Sequence, residues 1–174
     1  MLGRVRARLT YANVTATVAL FLAIASLAIV AKNLIYGKSS ANSAGATAVL
    51  AGSSNELPSC SSCEVSIPAS GTGSFGTLNN SANEQLSPNT TIVASDLSVH
   101  VDTAPGSATR KFFLWYRSET SHFLTCEISG SNTTCNSGAQ TLTIPPGSRV
   151  LVESANFGGA PTTRVQLGWL ATAQ

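Results

Sequence analysis

From Thr90 to the C-terminus, apolar and polar residues alternate with a period of two, the pattern of strands that bury one face. In TIVASDLSVHVD, Leu97, Val99 and Val101 share one face while Ser98, His100 and Asp102 share the other. RKFFLWYRS, beginning at Arg110, is apolar on both faces, as expected of a central strand covered on both sides. SHFLTCEIS alternates again, and TLTI, RVLVES and TRVQLGWLAT supply three further strands. Gly/Pro punctuation at APGSA, PPGS and FGGAP separates them. Short strands with turns at this spacing predict a mainly β fold, an antiparallel sandwich or barrel rather than an α/β domain.

The N-terminal pattern is different. Arg4, Arg6 and Arg8 precede an uncharged stretch from Leu9 to Ala31, strongly apolar from Val18 onward and closed by Lys32. A bilayer core needs roughly 20 apolar residues, whereas the apolar part of a cleaved leader runs to about 7 to 15. Residues 9–31 therefore predict one transmembrane helix, with membrane lipid as its partner and residues 1–8 as a basic tail. The positive-inside rule keeps that tail cytoplasmic and sends the remainder across the membrane. Cleavage is the alternative, since Ala23-Ile24-Ala25 and Ser26-Leu27-Ala28 suit a signal peptidase, and it makes the protein secreted. The segment RLTYANVTATVALFLAIASLAI resembles an N-terminal segment that recurs on exported proteins of actinobacteria. That resemblance covers about the first thirty residues and implies export, with nothing said of the cargo.

Composition narrows the function classes. Charged residues make up 10% of the chain, well below the usual quarter, and Ser, Thr, Asn, Gly and Ala fill the polar positions. From Asn33 onward six basic residues face eight acidic ones, so a basic nucleic-acid-binding surface is not supported. Residues 32–62 are rich in Ser, Ala, Gly and Asn and read as a flexible stalk, leaving 63–174 as one extracytoplasmic β-sandwich domain. Cys60-Ser61-Ser62-Cys63 is a CxxC without the βαβ surroundings of a redox motif. A local disulfide between Cys60 and Cys63, or a link to another chain, suits an exported protein better than a four-cysteine zinc site. GTGSFG, from Gly71 to Gly76, has dinucleotide-fingerprint spacing but no helix after it, so it reads as a glycine-rich loop or strand entry.

In LTCEISGSNTTCNSG, Cys126 and Cys135 lie evenly about Gly130-Ser131, which has glycine where a type II′ hairpin turn requires it. With that turn, Cys126 faces Cys135 at a non-hydrogen-bonded position, about 4.5 Å apart at Cα and within disulfide range. The spacing predicts a disulfide across a hairpin and hence an oxidising compartment. TLTIPPGSRVLVES followed by VQLGWLAT resembles the last strands of jelly-roll domains of the complement C1q and tumour-necrosis-factor type. The hairpin is also similar to one in uncharacterised β-sandwich modules on bacterial and phage surface proteins. The resemblance spans about Ile92 to the C-terminus and implies a jelly-roll-like sandwich and a homo-oligomer, a trimer in those families.

Candidate chemistry is sparse. Ser98, His100 and Asp102 hold the residue types of a hydrolase triad, but on a strand they stand in a row about 6.7 Å apart. His122 lacks a metal-ligand motif, and nothing local pairs Glu119, Glu127 or Glu153 as acid and base. No catalytic, cofactor or metal residue is assigned. Phe112, Phe113, Trp115 and Tyr116 form the densest aromatic cluster, which reads as sandwich core or, on one strand face, as a platform for an envelope or carbohydrate ligand or a neighbouring subunit. The sequence thus predicts a non-enzymatic, membrane-anchored display domain for adhesion, envelope structure or self-assembly. A secreted or cell-wall hydrolase and a phage-derived or filament component are the alternatives.

Overall fold

The computed structural model describes residues 45–78 and 81–174. The basic tail at 1–8, the apolar segment at 9–31 and the start of the expected stalk lie outside the described residues. Among the described residues no helix is long and apolar enough to cross a membrane.

Eleven strands follow in order: β1 (Thr47–Leu57), β2 (Ser62–Ile67), β3 (Gly71–Gly73), β4 (Gln85–Leu86), β5 (Ile92–Val101), β6 (Gly106–Tyr116), β7 (Leu124–Gly130), β8 (Thr134–Asn136), β9 (Thr141–Ile144), β10 (Arg149–Phe157) and β11 (Thr163–Ala173). They build two sheets. One runs β3-β1-β11-β5, with β8 and β9 both against the far side of β5; the other runs β2-β10-β6-β7, with β4 also on β10. All pairs are antiparallel except β1 with β3. The mainly β sandwich expected from the alternation is therefore present.

The core lies between the sheets, and the alternation explains it. On β11 Val165, Leu167, Trp169 and Ala171 point inward, and on β6 Phe112 and Leu114 do so with no exposure. Trp169 also ties its indole N–H to the Ala69 carbonyl at 2.8 Å, giving the one polar atom of a large core side chain a partner. On β5 the buried set changes parity, from Ile92 and Ala94 to Leu97, Val99 and Val101. An extra residue sits there relative to β11, and Asp96 adopts φ 53° within the resulting bulge. Ser137 fastens it: its hydroxyl accepts from Leu97 N at 3.0 Å, and its own N–H donates to Leu97 O at 2.8 Å.

Two expectations need correction. The flexible stalk placed over 32–62 does not extend past Thr47, because Thr47–Leu57 is an eleven-residue strand inside the sandwich. Its small residues are packing features. A Cβ on Gly52 would stand 2.4 Å from the Pro68 carbonyl oxygen, so glycine is what lets the 68–69 segment cross β1. Leu57 is fully buried and Ser54 nearly so.

The second correction concerns Cys126 and Cys135, which are disulfide-bonded with Cα atoms 5.6 Å apart but are not hairpin partners. The turn at Gly130-Ser131 forms, with Asn132 N–H donating to Ser129 O and Gly130 at φ 64°. Beyond it the chain crosses to the other sheet. Cys126 pairs in register with Phe112 on β6, and Cys135 pairs with Val99 on β5. The bond therefore staples one sheet to the other at the edge of the core.

Candidate functional site

The aromatic run on β6 divides by strand parity. Phe112 belongs to the core, with no exposure, and Tyr116 is packed against that core at the strand end, so neither is part of an outward platform. Phe113 and Trp115 take the opposite parity, face away from the core and are half-buried. Phe123, just before β7, joins them: its ring stands edge-on to Phe113 at 6.0 Å and to Trp115 at 6.3 Å. The edge-to-face arrangement sets the positive edge of one ring on the negative face of another. Leu151 on β10 lies opposite Trp115 and has no exposure, so it adds no accessible surface to the strip.

A turn at one end holds Phe123 in place. Glu119 Oε1 accepts from the N–H groups of Thr120, Ser121 and His122 at 2.9, 2.8 and 3.1 Å and from the Ser121 hydroxyl at 3.0 Å. The N–H and hydroxyl of Ser121, followed by the contacts from His122, hold its carboxyl down to about 2. Its other oxygen accepts from the Tyr116 hydroxyl at 3.2 Å. Burial, with the Glu119 charge beside it, pushes that phenol above its usual range. His122 Nδ1 is 3.4 Å from Glu119 and serves this turn.

Charge flanks the strip on the side of β10 and β2. Glu153 sits opposite Phe113 on one side and Ser66 on the other. Burial, and then the neighbouring Glu64, push its carboxyl above the ordinary range. On β6 and β7, Lys111 and Glu127 pair across the strands at 3.2 Å. Trp115 Nε1 is shielded from solvent and has no hydrogen-bond partner among the described residues. The strip thus presents half-buried aromatic rings packed edge to face beside a carboxyl, with its indole N–H enclosed.

Other sequence candidates fall elsewhere. Ser98, His100 and Asp102 lie in a row on the outer face of β5 and just beyond it, with His100 Nε2 3.9 Å from Asp102 and both about half exposed. No hydrogen bond joins Ser98 to His100 among the described residues, so the triad geometry is not assembled. No cluster of three or more metal-binding side chains occurs among the described residues. Gly71–Gly73 forms the short β3, and Gly76 bridges Ser66, in keeping with a strand entry. An apolar cleft of about 210 Å³ opens between Leu50, Ala69, Ile92, Val150 and Trp169. Its polar pair, Ser70 and Gln85, hydrogen-bond to each other.

No protein-family model matches the chain, and comparison with curated proteins returns no match.

Sequence reasoning named Phe113 and Trp115 but missed Phe123 and the Glu119 turn. The parity of SHFLTCEIS does put Phe123 opposite Leu124, so the missing information was the lateral register of β6 against β7.

Proposed function

We propose that the chain displays one disulfide-stapled β-sandwich outside the cytoplasm, anchored by its N-terminal apolar segment, and meets its partner through Phe113, Trp115 and Phe123. The observation that carries this reading is the pairing of all four cysteines, with none free among the described residues, because persistent disulfides require an oxidising compartment. The strand order supports a jelly roll: the chain passes from β5 to β6 and from β7 to β8 by changing sheets, and closes on β11 between β1 and β5. The partner proposed is an envelope carbohydrate, for which outward-facing aromatic rings beside a carboxyl are the fitting chemistry.

Self-association is a second reading, favoured by the outer face of the other sheet. Val49 is 73% exposed there, opposite Leu170, with Val93 nearby on the same face. The test uses the full chain in its native membrane fraction. Intact mass after alkylation, with and without reduction, is expected to show the unprocessed length and two intrachain disulfides. The purified chain should bind envelope polysaccharide in a manner weakened at least tenfold by Trp115→Ala. Free thiols in the native fraction would overturn the extracytoplasmic placement, and polysaccharide binding indifferent to Trp115→Ala would overturn the strip.

A further inference from the structure

One end of the sandwich stays open between its sheets. Leu50 on β1 and Trp169 on β11 pair in register and pack toward the core with Ile92 of β5, and Val150 of β10 faces them from the other sheet. Between them lies the cleft of about 210 Å³, with the 69–70 and 85–88 segments forming the rest of its wall. Ile92, Val150 and Trp169 are at most 5% exposed, whereas Leu86 is 74% exposed and marks the mouth.

The lining selects hydrocarbon. It carries no charged side chain, and its polar side chains already have partners. Ser70 and Gln85 bond to each other, the Ser87 hydroxyl donates to Pro145 O at 2.9 Å, and the Trp169 indole N–H is held by the Ala69 carbonyl. A polar ligand would leave its own groups unpaired there, while an apolar one gives up nothing. Apolar cavities of ~150 Å³ stay dry and accept a benzene ring, so this larger cleft has room for the end of an alkyl chain.

The point of chain entry decides which hydrocarbon is within reach. Gly45 N–H donates to Ala173 O at 2.7 Å, and Ala173 pairs in register with Ile92 of the cleft wall. The described residues therefore begin at the cleft's end of the sandwich. Residues 32–44 separate Gly45 from the apolar segment at 9–31, and a stretch of that length spans at most roughly 45 Å.

We propose that the cleft takes the end of a phospholipid acyl chain from the membrane that anchors the protein, an inference that rests on the anchored placement proposed above. The short tether keeps the effective concentration of lipid at the cleft high. Leu86 enters the headgroup boundary beside the mouth. The acyl chain exchanges one apolar surrounding for another, so the favourable change is the removal of Leu86 and the cleft wall from water. The site is distinct from the aromatic strip, which lies on the outer face of the other sheet.

The protein carries its own reporter, because Trp115 and Trp169 are its only tryptophans and Trp169 lines the cleft. The full chain with Trp115→Phe is reconstituted into phosphatidylcholine vesicles whose acyl chains are either brominated or not, and bromine quenches an indole that it touches. We expect the chain to sediment with both vesicles and its Trp169 emission to be at least ~2-fold lower in the brominated ones, as for an acyl chain enclosed by its pocket. Leu86→Asp should restore at least about half of that emission with the circular dichroism unchanged, because the change removes the apolar surface at the mouth. Should Trp115→Phe fail to fold, the Leu86→Asp difference is read in the otherwise unaltered chain, where Trp115 adds a constant background. Sedimentation without quenching, the result if a second copy or another part of this chain filled the cleft, would overturn the proposal and leave the anchor standing. Quenching indifferent to Leu86→Asp would overturn it as well. A chain that stays in the supernatant would remove the anchored placement and the lipid site together.

Discussion

Single positions on β1 and β6 separate residues that the fold needs from residues that a partner would use. Gly52→Ala places a methyl 2.4 Å from a backbone oxygen that cannot swing aside, and the resulting overpacking should cost about 1–3 kcal/mol in urea unfolding. Phe112→Ala opens a cavity under a side chain with no exposure and should cost about 3–5 kcal/mol by the same measurement. Trp115→Ala, three residues further along and of opposite parity, should cost less than Phe112→Ala while carrying the binding loss. A larger unfolding effect at Trp115 than at Phe112 would mean that the strip is a second core. The sequence grouped Phe112, Phe113, Trp115 and Tyr116 as one cluster, because a strand apolar on both faces leaves alternation nothing to sort, and the core packing of β6 made the division. Phe123 was missed because its place beside Phe113 and Trp115 depends on how β7 lies against β6.

Among the elements, the β7–β8 segment shows how a correct pairing can carry a wrong geometry. The even spacing of Cys126 and Cys135 about Gly130-Ser131 is a local property, and the turn and the disulfide follow from it. Which strands flank each cysteine is not local: β7 finds β6, and β8 finds β5 on the other sheet. Replacing both cysteines with alanine removes a short covalent loop worth roughly 2–3 kcal/mol in the chain-entropy model. Because the bond joins the sheets, the loss should appear in hydrogen exchange on β8 and β5 as well as on β7. Faster exchange confined to β7 would contradict the inter-sheet role. β1 is the element that composition concealed. Its Ser, Gly and Ala residues read as coil, yet they suit a strand paired to β11 with Pro68 pressed against it.

At the scale of the whole molecule, one carboxylate fastens the segment before β4 to the sheet that carries the strip. The Glu84 side chain is 3% exposed and is hydrogen-bonded to Arg117 and, at 3.0 Å, to Arg149. Arg117 also donates to Leu78 O at 3.2 Å. Burial alone would push the Glu84 carboxyl up, but the hydrogen bonds and charges of Arg149 and Arg117 outweigh it and hold it below the usual range. A carboxyl lowered in the folded state stabilises fully above its unfolded value, and that contribution disappears as pH falls through the folded value. Glu119, at about 2, acts in the same direction. Stability should therefore fall as pH drops below the ordinary carboxylate range. Glu84→Gln should cost about 1–3 kcal/mol at pH 7 and flatten that acid dependence, as measured by urea unfolding between pH 2 and 7. An unchanged acid profile would show that Glu84 fastens nothing. Glu153 has the opposite sign: its raised carboxyl makes the folded state lose stability as pH rises from its unfolded to its folded value.

The sequence by itself determined the period-two elements from Ile92 onward, the inward and outward sides of most of them, and two cysteine pairs spaced to bond. These are short-range quantities, set by the pleat and by the handful of residues around a turn. Only the tertiary structure decided that Thr47–Leu57 is a strand, that Cys126–Cys135 joins two sheets and that Phe123 joins the strip. Each of these depends on which distant strands lie side by side. That choice follows from the simultaneous packing of both sheets around one core, not from any single stretch of chain.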